Sequence, residues 1–127
     1  MTIPGDLKYT ASHQWVREEA DGTASVGITF HAQEQLGDVV YVQQPEIGRK
    51  VARGEACALV ESVKAASDIP APLSGEIVAI NPAVADAPEQ LNRDPYGTWL
   101  FRIHPSDASE KGQLLDAASY KKTVSDK

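Results

Sequence analysis

The chain has 127 residues, enough for one domain around a single buried core. Its 12 Lys and Arg stand against 18 Asp and Glu, a net charge of −6 with the cations scattered along the chain. That balance excludes the basic footprint that nucleic-acid phosphates or an anionic membrane surface require.

Taken in chain order, residues 1–6 show neither the basic-then-apolar pattern of a secretory signal nor an Arg-rich transit pattern. No apolar run approaches the roughly 20 residues of a membrane helix. The expected location is a bacterial cytoplasm. Residues 9–19 and 24–28, separated by the turn signal Asp21-Gly22, predict a first antiparallel strand pair. Residues 32–36 predict a short helix stopped by Gly37, and residues 38–42 predict a β-branched strand ended by Pro45. Residues 46–55 carry two glycines and read as turn.

Strand character resumes at residues 56–63 and leads to Lys64. The single Cys57 lies in this run among Ala56, Ala58, Leu59 and Val60, which predicts a buried, inert thiol with no intrachain disulfide. Past Lys64 the chain returns toward Pro70 and Pro72, which confine that segment to an edge. The whole reads as a β-hairpin presenting Lys64 at its tip. Ser74-Gly75 turns into a strand over 76–80, ended by Asn81-Pro82, and a helical turn is expected near 88–91. Trp99, Phe101 and Ile103 alternate as the inward face of a last strand. Ser106 is the expected cap of a short C-terminal helix with Asp107 and Glu110 in its first turn, anchored by Leu114 and Leu115. A last turn over 116–120 and a mobile end over 121–127 complete one domain spanning 1–127. Gly37-Asp38-Val39-Val40 and Gly75-Glu76-Ile77-Val78 echo one another on either side of Lys64.

Catalytic patterns are sparse. His13, His31 and His104 lack the close spacing of a metal site, and no cysteine pair completes one. Nucleotide-binding glycine loops and a serine elbow are missing too. Lys64 remains. A bare lysine amine needs burial or a cationic neighbour to become a nucleophile, whereas Lys64 has small neighbours and the acids Glu61 and Asp68. A lysine held on a tight turn is instead suited to being modified.

Glu61-Ser62-Val63-Lys64-Ala65-Ala66-Ser67-Asp68 resembles the lipoylation motif of the H protein of the glycine cleavage system. The likeness continues through Tyr9-Thr10, Ser12-His13, Trp15-Val16, Val26-Gly27-Ile28-Thr29, Ala32-Gln33-Glu34-Gln35-Leu36-Gly37-Asp38, Pro70 and Pro72 with Ser74-Gly75-Glu76, Asn92 with Asp94-Pro95-Tyr96-Gly97, and Trp99-Leu100. The resemblance implies a mainly β fold, a lipoyl-domain-like barrel-sandwich of two small antiparallel sheets, with short helices near 32–36 and in the C-terminal region. It implies lipoic acid in amide linkage on Lys64, with Glu61, Ser62, Val63, Ala65, Asp68 and Gly75 as motif context. A cleft for the lipoyl arm is expected around Ser12, Gln14, Ile28 and His31, with Asp68. The implied role is a non-catalytic carrier serving glycine decarboxylase, aminomethyltransferase and dihydrolipoyl dehydrogenase, modified by a lipoate ligase or a lipoyl or octanoyl transferase.

Three positions depart from the family's usual pattern. Gln14 stands where glutamate is common, Phe30 follows Ile28-Thr29 where aspartate is common, and the segment Tyr96-Gly97-Thr98-Trp99 is shortened. Two other roles fit the same residues: a relay passing lipoyl groups to other complexes, and a non-lipoylated binding module. Biotin carriers typically place methionines beside the lysine, and here Val63 and Ala65 flank it.

Overall fold

The computed structural model describes residues 3–125. Among these residues nine strands, drawn from β-branched, turn-punctuated segments, form two antiparallel sheets that mix hairpin pairs with pairings between strands distant in sequence. They are β1 (Lys8–Tyr9), β2 (Gln14–Glu18), β3 (Ala24–Ile28), β4 (Val39–Gln43), β5 (Lys50–Val51), β6 (Ala56–Ser62), β7 (Ala66–Pro70), β8 (Gly75–Ile80) and β9 (Phe101–Pro105). The larger sheet runs β1-β2-β3-β9-β8-β5 and the smaller β4-β6-β7. Four helices connect or flank them: α1 (Phe30–Leu36), α2 (Pro82–Asp86), α3 (Gln90–Arg93) and α4 (Ala117–Ser125), with a 3-10 helix at Ala108–Gln113.

The expected mainly β fold with two antiparallel sheets is what the structure has. Val26, Ile28, Ile77, Phe101 and Ile103 from the larger sheet join Val42, Val60 and Ile69 from the smaller in one buried core. A second cluster, Leu7, Tyr9, Trp15, Tyr120 and Val124, packs α4 onto the first strands. Gly27 explains how Trp15 fits there. It lies opposite Trp15 in the β2–β3 ladder, and a β-carbon on it would collide with the indole. The indole Nε1 donates to the carbonyl of Pro95 at 2.9 Å, so the buried ring leaves no unpaired donor.

Several boundaries differ from the sequence reading. Trp99 lies before β9 rather than in it. It packs against the second cluster under the Arg102 guanidinium at 4.3 Å, whereas Phe101 and Ile103 enter the main core. Asp107, not Ser106, caps the 3-10 helix by accepting from the Ser109 amide at 3.0 Å. Glu110 stands in the first turn as expected, and its carboxylate accepts from both the amide and the hydroxyl of Ser74. Pro82 does not merely end β8; it opens α2, whose N-cap is Asn81. The final helix continues to Ser125 instead of stopping near Tyr120. Residues 126 and 127 of the end expected to be mobile lie outside the described residues.

The tyrosines of the second cluster make stability fall in alkali. Tyr9 and Tyr120 are fully buried and stacked at 4.7 Å. Burial pushes the Tyr120 phenol up to about 12, against a smaller opposing effect of its hydrogen bond with Thr29, and burial pushes Tyr9 up as well. An unfolded tyrosine titrates near about 10. The unfolded chain therefore loses these protons first, so the stabilisation is complete below about pH 10 and declines as pH rises toward 12. Thermal midpoints are expected to hold steady up to about pH 9 and to drop steeply above about 10, in step with tyrosinate absorbance. A midpoint that stays flat to pH 12 would contradict this.

Candidate functional site

Lys64 is exposed at the turn between β6 and β7. The turn is closed by backbone and by one short side chain. The Ser62 amide donates to the Ala65 carbonyl at 2.8 Å, and the Ser62 hydroxyl accepts from the amides of Lys64 and Ala65 at 3.3 and 3.1 Å. A serine reaching forward over its own turn in this way competes with water for the loop amides and fixes the loop without using the lysine. The Val63 amide donates to the Asp38 carbonyl at 3.0 Å, which ties the tip to the segment entering β4. Val63 itself is 69% exposed, and Glu61 faces Tyr41 and Ala66 on the adjoining strands.

The base of the tip is made where α1 ends. Gly37 caps that helix at φ +78°, a conformation glycine adopts without the β-carbon penalty. Its bare face carries the lysine stem, since a β-carbon there would come 3.4 Å from Lys64 Cε. Asn92 bolts this junction together. Its side chain accepts from the Val39 amide at 2.8 Å and donates to the Gly37 carbonyl at 2.8 Å and to Gln33 Oε1 at 3.1 Å. The resemblance named Asn92 as a motif position without giving it a role, which rests on contacts more than 50 residues away in sequence.

A cleft of about 160 Å³ opens beside β7. Ser67, Asp68 and Ile69 form one wall, Ser12 and His13 with Ala32, Gln35 and Leu36 of α1 form the other, and Ile28 lies between. Of the residues expected there, Ser12, Ile28 and Asp68 line it. His31 does not. It is buried one layer back, its ring 4.5 Å from that of His13, and its Nε2 has no hydrogen-bond partner. Gln14 is displaced too. It is buried at 1% exposure and faces a neighbouring cavity of about 260 Å³ shared with Ser12, Pro70 and Leu115. Its amide is spent on its own loop, where Oε1 accepts from the Thr10 hydroxyl at 2.7 Å and Nε2 donates to the Ser12 carbonyl at 3.4 Å. Asp68 is thus the only carboxylate on the cleft wall among the described residues. Gln35 and Leu36 were missed as lining residues because local pattern does not show which face of a short helix meets a distant strand.

Gly75 has a different place from the rest of the motif. It opens β8 in the larger sheet, paired with Val51 and Pro105, and a β-carbon would strike the His104 carbonyl. The Gly37 and Gly75 segments, which echo each other in sequence, therefore use their glycines for two purposes, a helix cap and a close strand approach. Phe30, at the second departure, opens α1, and its amide donates to Tyr96 Oη at 3.2 Å. At the third, the Gly97 amide donates to Asp94 Oδ1 at 3.1 Å, and the Asp94 carboxylate covers the bare face of Gly97.

The arrangement offers little for catalysis by side chains. Burial pushes the Cys57 thiol up to about 12, so it stays protonated and inert. Among the described residues no group of three or more His, Cys, Asp or Glu is placed to hold a metal, and no helix is long and apolar enough to cross a membrane. What remains is a rigidly presented amine next to a mostly apolar trough with one acid.

Known proteins share this arrangement over nearly the full length. The family described as "Glycine cleavage H-protein" matches residues 7–127. A glycine cleavage system H protein of Azoarcus sp. (strain BH72) is 58% identical, covering 98% of each chain. That of Halorhodospira halophila is 60% identical, over 98% of this chain and 96% of the relative. A crystal structure of a glycine cleavage system H protein from Mycobacterium marinum superposes with a TM-score of 0.88 at 46% identity, covering 97% of this chain and 99% of that one.

Proposed function

Because the chain belongs to the glycine cleavage H-protein family, we propose that it is the lipoyl-bearing carrier of the glycine cleavage system, with Lys64 as the modified residue. The observation that carries this reading is the exposed Lys64 on a turn braced by Ser62, directly beside the cleft along β7. The residues fit the group. Acylating the lysine removes its charge, and the apolar walls Ile28, Ala32, Leu36 and Ile69 suit an uncharged aliphatic arm. A lysine stem extended by an eight-carbon chain reaches roughly 14 Å at ordinary bond lengths. β7 leads from the turn at Ala66 to Asp68 at a rise of ~3.3 Å per residue, so an arm of that length is long enough to reach the cleft.

When bound, lipoate supplies the redox-active dithiolane that takes up the aminomethyl unit of glycine. The chain's part is positional. Ser62 and Gly37 hold the lysine at one place, tethering raises the arm's effective concentration at each partner, and the cleft walls exclude water from its end. Asp68 offers a negative charge to the ammonium of a loaded arm, and Gln14, tied to Thr10 and Ser12, offers it no charge. The partners are glycine decarboxylase, aminomethyltransferase, dihydrolipoyl dehydrogenase and the enzyme that attaches lipoate, in a bacterial cytoplasm.

The deciding experiment is the intact mass of protein from lipoate-replete cells, followed by glycine-dependent loading in a mixture with the decarboxylase. One lipoyl adduct that takes up an aminomethyl unit is expected. An unmodified chain would overturn the carrier reading, and an adduct that is instead handed to an acceptor domain by a transferase would replace it with the relay.

A further inference from the structure

The two walls of the cleft are secured in unequal ways. Ser67, Asp68 and Ile69 sit in the β6–β7 ladder. The opposite wall is a loop, Ser12-His13, and a seven-residue helix, α1. One atom touches the supports of both. Tyr120 Oη on α4 lies 2.8 Å from His13 Nδ1 and 2.7 Å from Thr29 Oγ1. Thr29 is the N-cap of α1 and its hydroxyl accepts from the Ala32 amide at 3.2 Å. His13 sits at φ +69°, a left-handed conformation that a non-glycine residue holds only when its surroundings determine it.

The three groups form a hydrogen-bond chain in which each is used. The Ala32 amide donates to Thr29 Oγ1, Thr29 Oγ1 shares a hydrogen bond with Tyr120 Oη, and Tyr120 Oη shares another with His13 Nδ1. Backbone contacts reinforce the same junction, the Thr29 amide donating to the His13 carbonyl at 3.1 Å. The Tyr120 ring is held independently by its stack on Tyr9. Its hydroxyl is therefore the one group that touches the supports of both parts of the cleft wall.

Resting on the carrier reading above, we propose that Tyr120 is a positioning residue for the cleft: through His13 and Thr29 its hydroxyl sets how tightly the wall closes over the arm of Lys64. The occupant's contacts with Ser12, His13, Ala32 and Leu36 and the hydrogen bonds of that hydroxyl are then energetically coupled.

The test compares lipoylated wild type, Tyr120→Phe and Val124→Ala, each first shown by mass to carry the adduct. Val124 is buried in the same cluster, so its truncation loosens α4 without removing the hydroxyl. The reduced arm is titrated with a bulky anionic disulfide reagent, the unlipoylated protein serving as blank for Cys57. Tyr120→Phe is expected to raise the arm's reaction rate about fivefold, the factor for one net hydrogen bond of about 1 kcal/mol. It also shifts the His13 imidazole nitrogen resonances. Val124→Ala lowers the thermal midpoint and leaves both readouts at wild-type values. Equal rates in Tyr120→Phe and wild type, or an equal rise in Val124→Ala, would overturn the proposal. A wild-type chain with no adduct would overturn the carrier reading, and this inference with it.

Discussion

Lys64→Arg is expected to remove the lipoyl adduct completely and to reduce glycine-dependent turnover with the partner enzymes to background, while thermal stability stays within about 0.5 kcal/mol of wild type. The two halves of this result come from separate features. A guanidinium keeps the charge and much of the length of the side chain but is not a nucleophile for acylation at neutral pH. Stability is spared because the turn is closed by Ser62 and by the Val63 amide, with the Lys64 side chain lying exposed over Gly37. Intact mass and a thermal melt on one preparation check both halves. An adduct that persists on another lysine would remove Lys64 from its role.

Gly75→Ala has the opposite profile. The added β-carbon meets the carbonyl of His104 and the backbone at Pro105, neither of which is a side chain able to swing away. β8 is held between β9 and β5, so relief requires breaking ladder pairs on one side. The cost is expected to be about 3 kcal/mol, the upper end for overpacking, and the thermal midpoint to fall by roughly 10 °C. Whatever fraction remains folded should still accept lipoate, because Gly75 belongs to the larger sheet and the hairpin of Lys64 to the smaller. A variant that melts like wild type yet resists lipoylation would show that the modifying enzyme reads this glycine directly.

These two glycine and lysine positions also show what local sequence reveals. Lys64 at a tip, the β6–β7 hairpin and the cap at Gly37 follow from short-range signals: an apolar run, small turn residues, a glycine after a helix former. Pro70 placing its strand at an edge is equally local, and β7 is an edge of the smaller sheet. Trp99 misled the reading because period-two alternation was extended beyond the start of β9 at Phe101, and the indole found a cluster outside the main core. His31 and Gln14 were expected on the cleft from resemblance, and both were displaced by contacts that adjacency in sequence does not reveal: the His13 ring in front of one, and Thr10 with Ser12 capturing the other. Asn92 and Tyr120, which organise the tip and the cleft wall, act on partners 53 to 107 residues away, so no window along the chain contains both ends of their bonds.

β7 has one further consequence. A bare edge strand carries unpaired amides and carbonyls that invite a strand from another molecule. Here the edge is five residues long, interrupted by the charge of Asp68 and closed by Pro70, which has no amide to donate. Residues that serve the cleft therefore also guard against polymerisation: the strand is too short and too broken to template a second sheet.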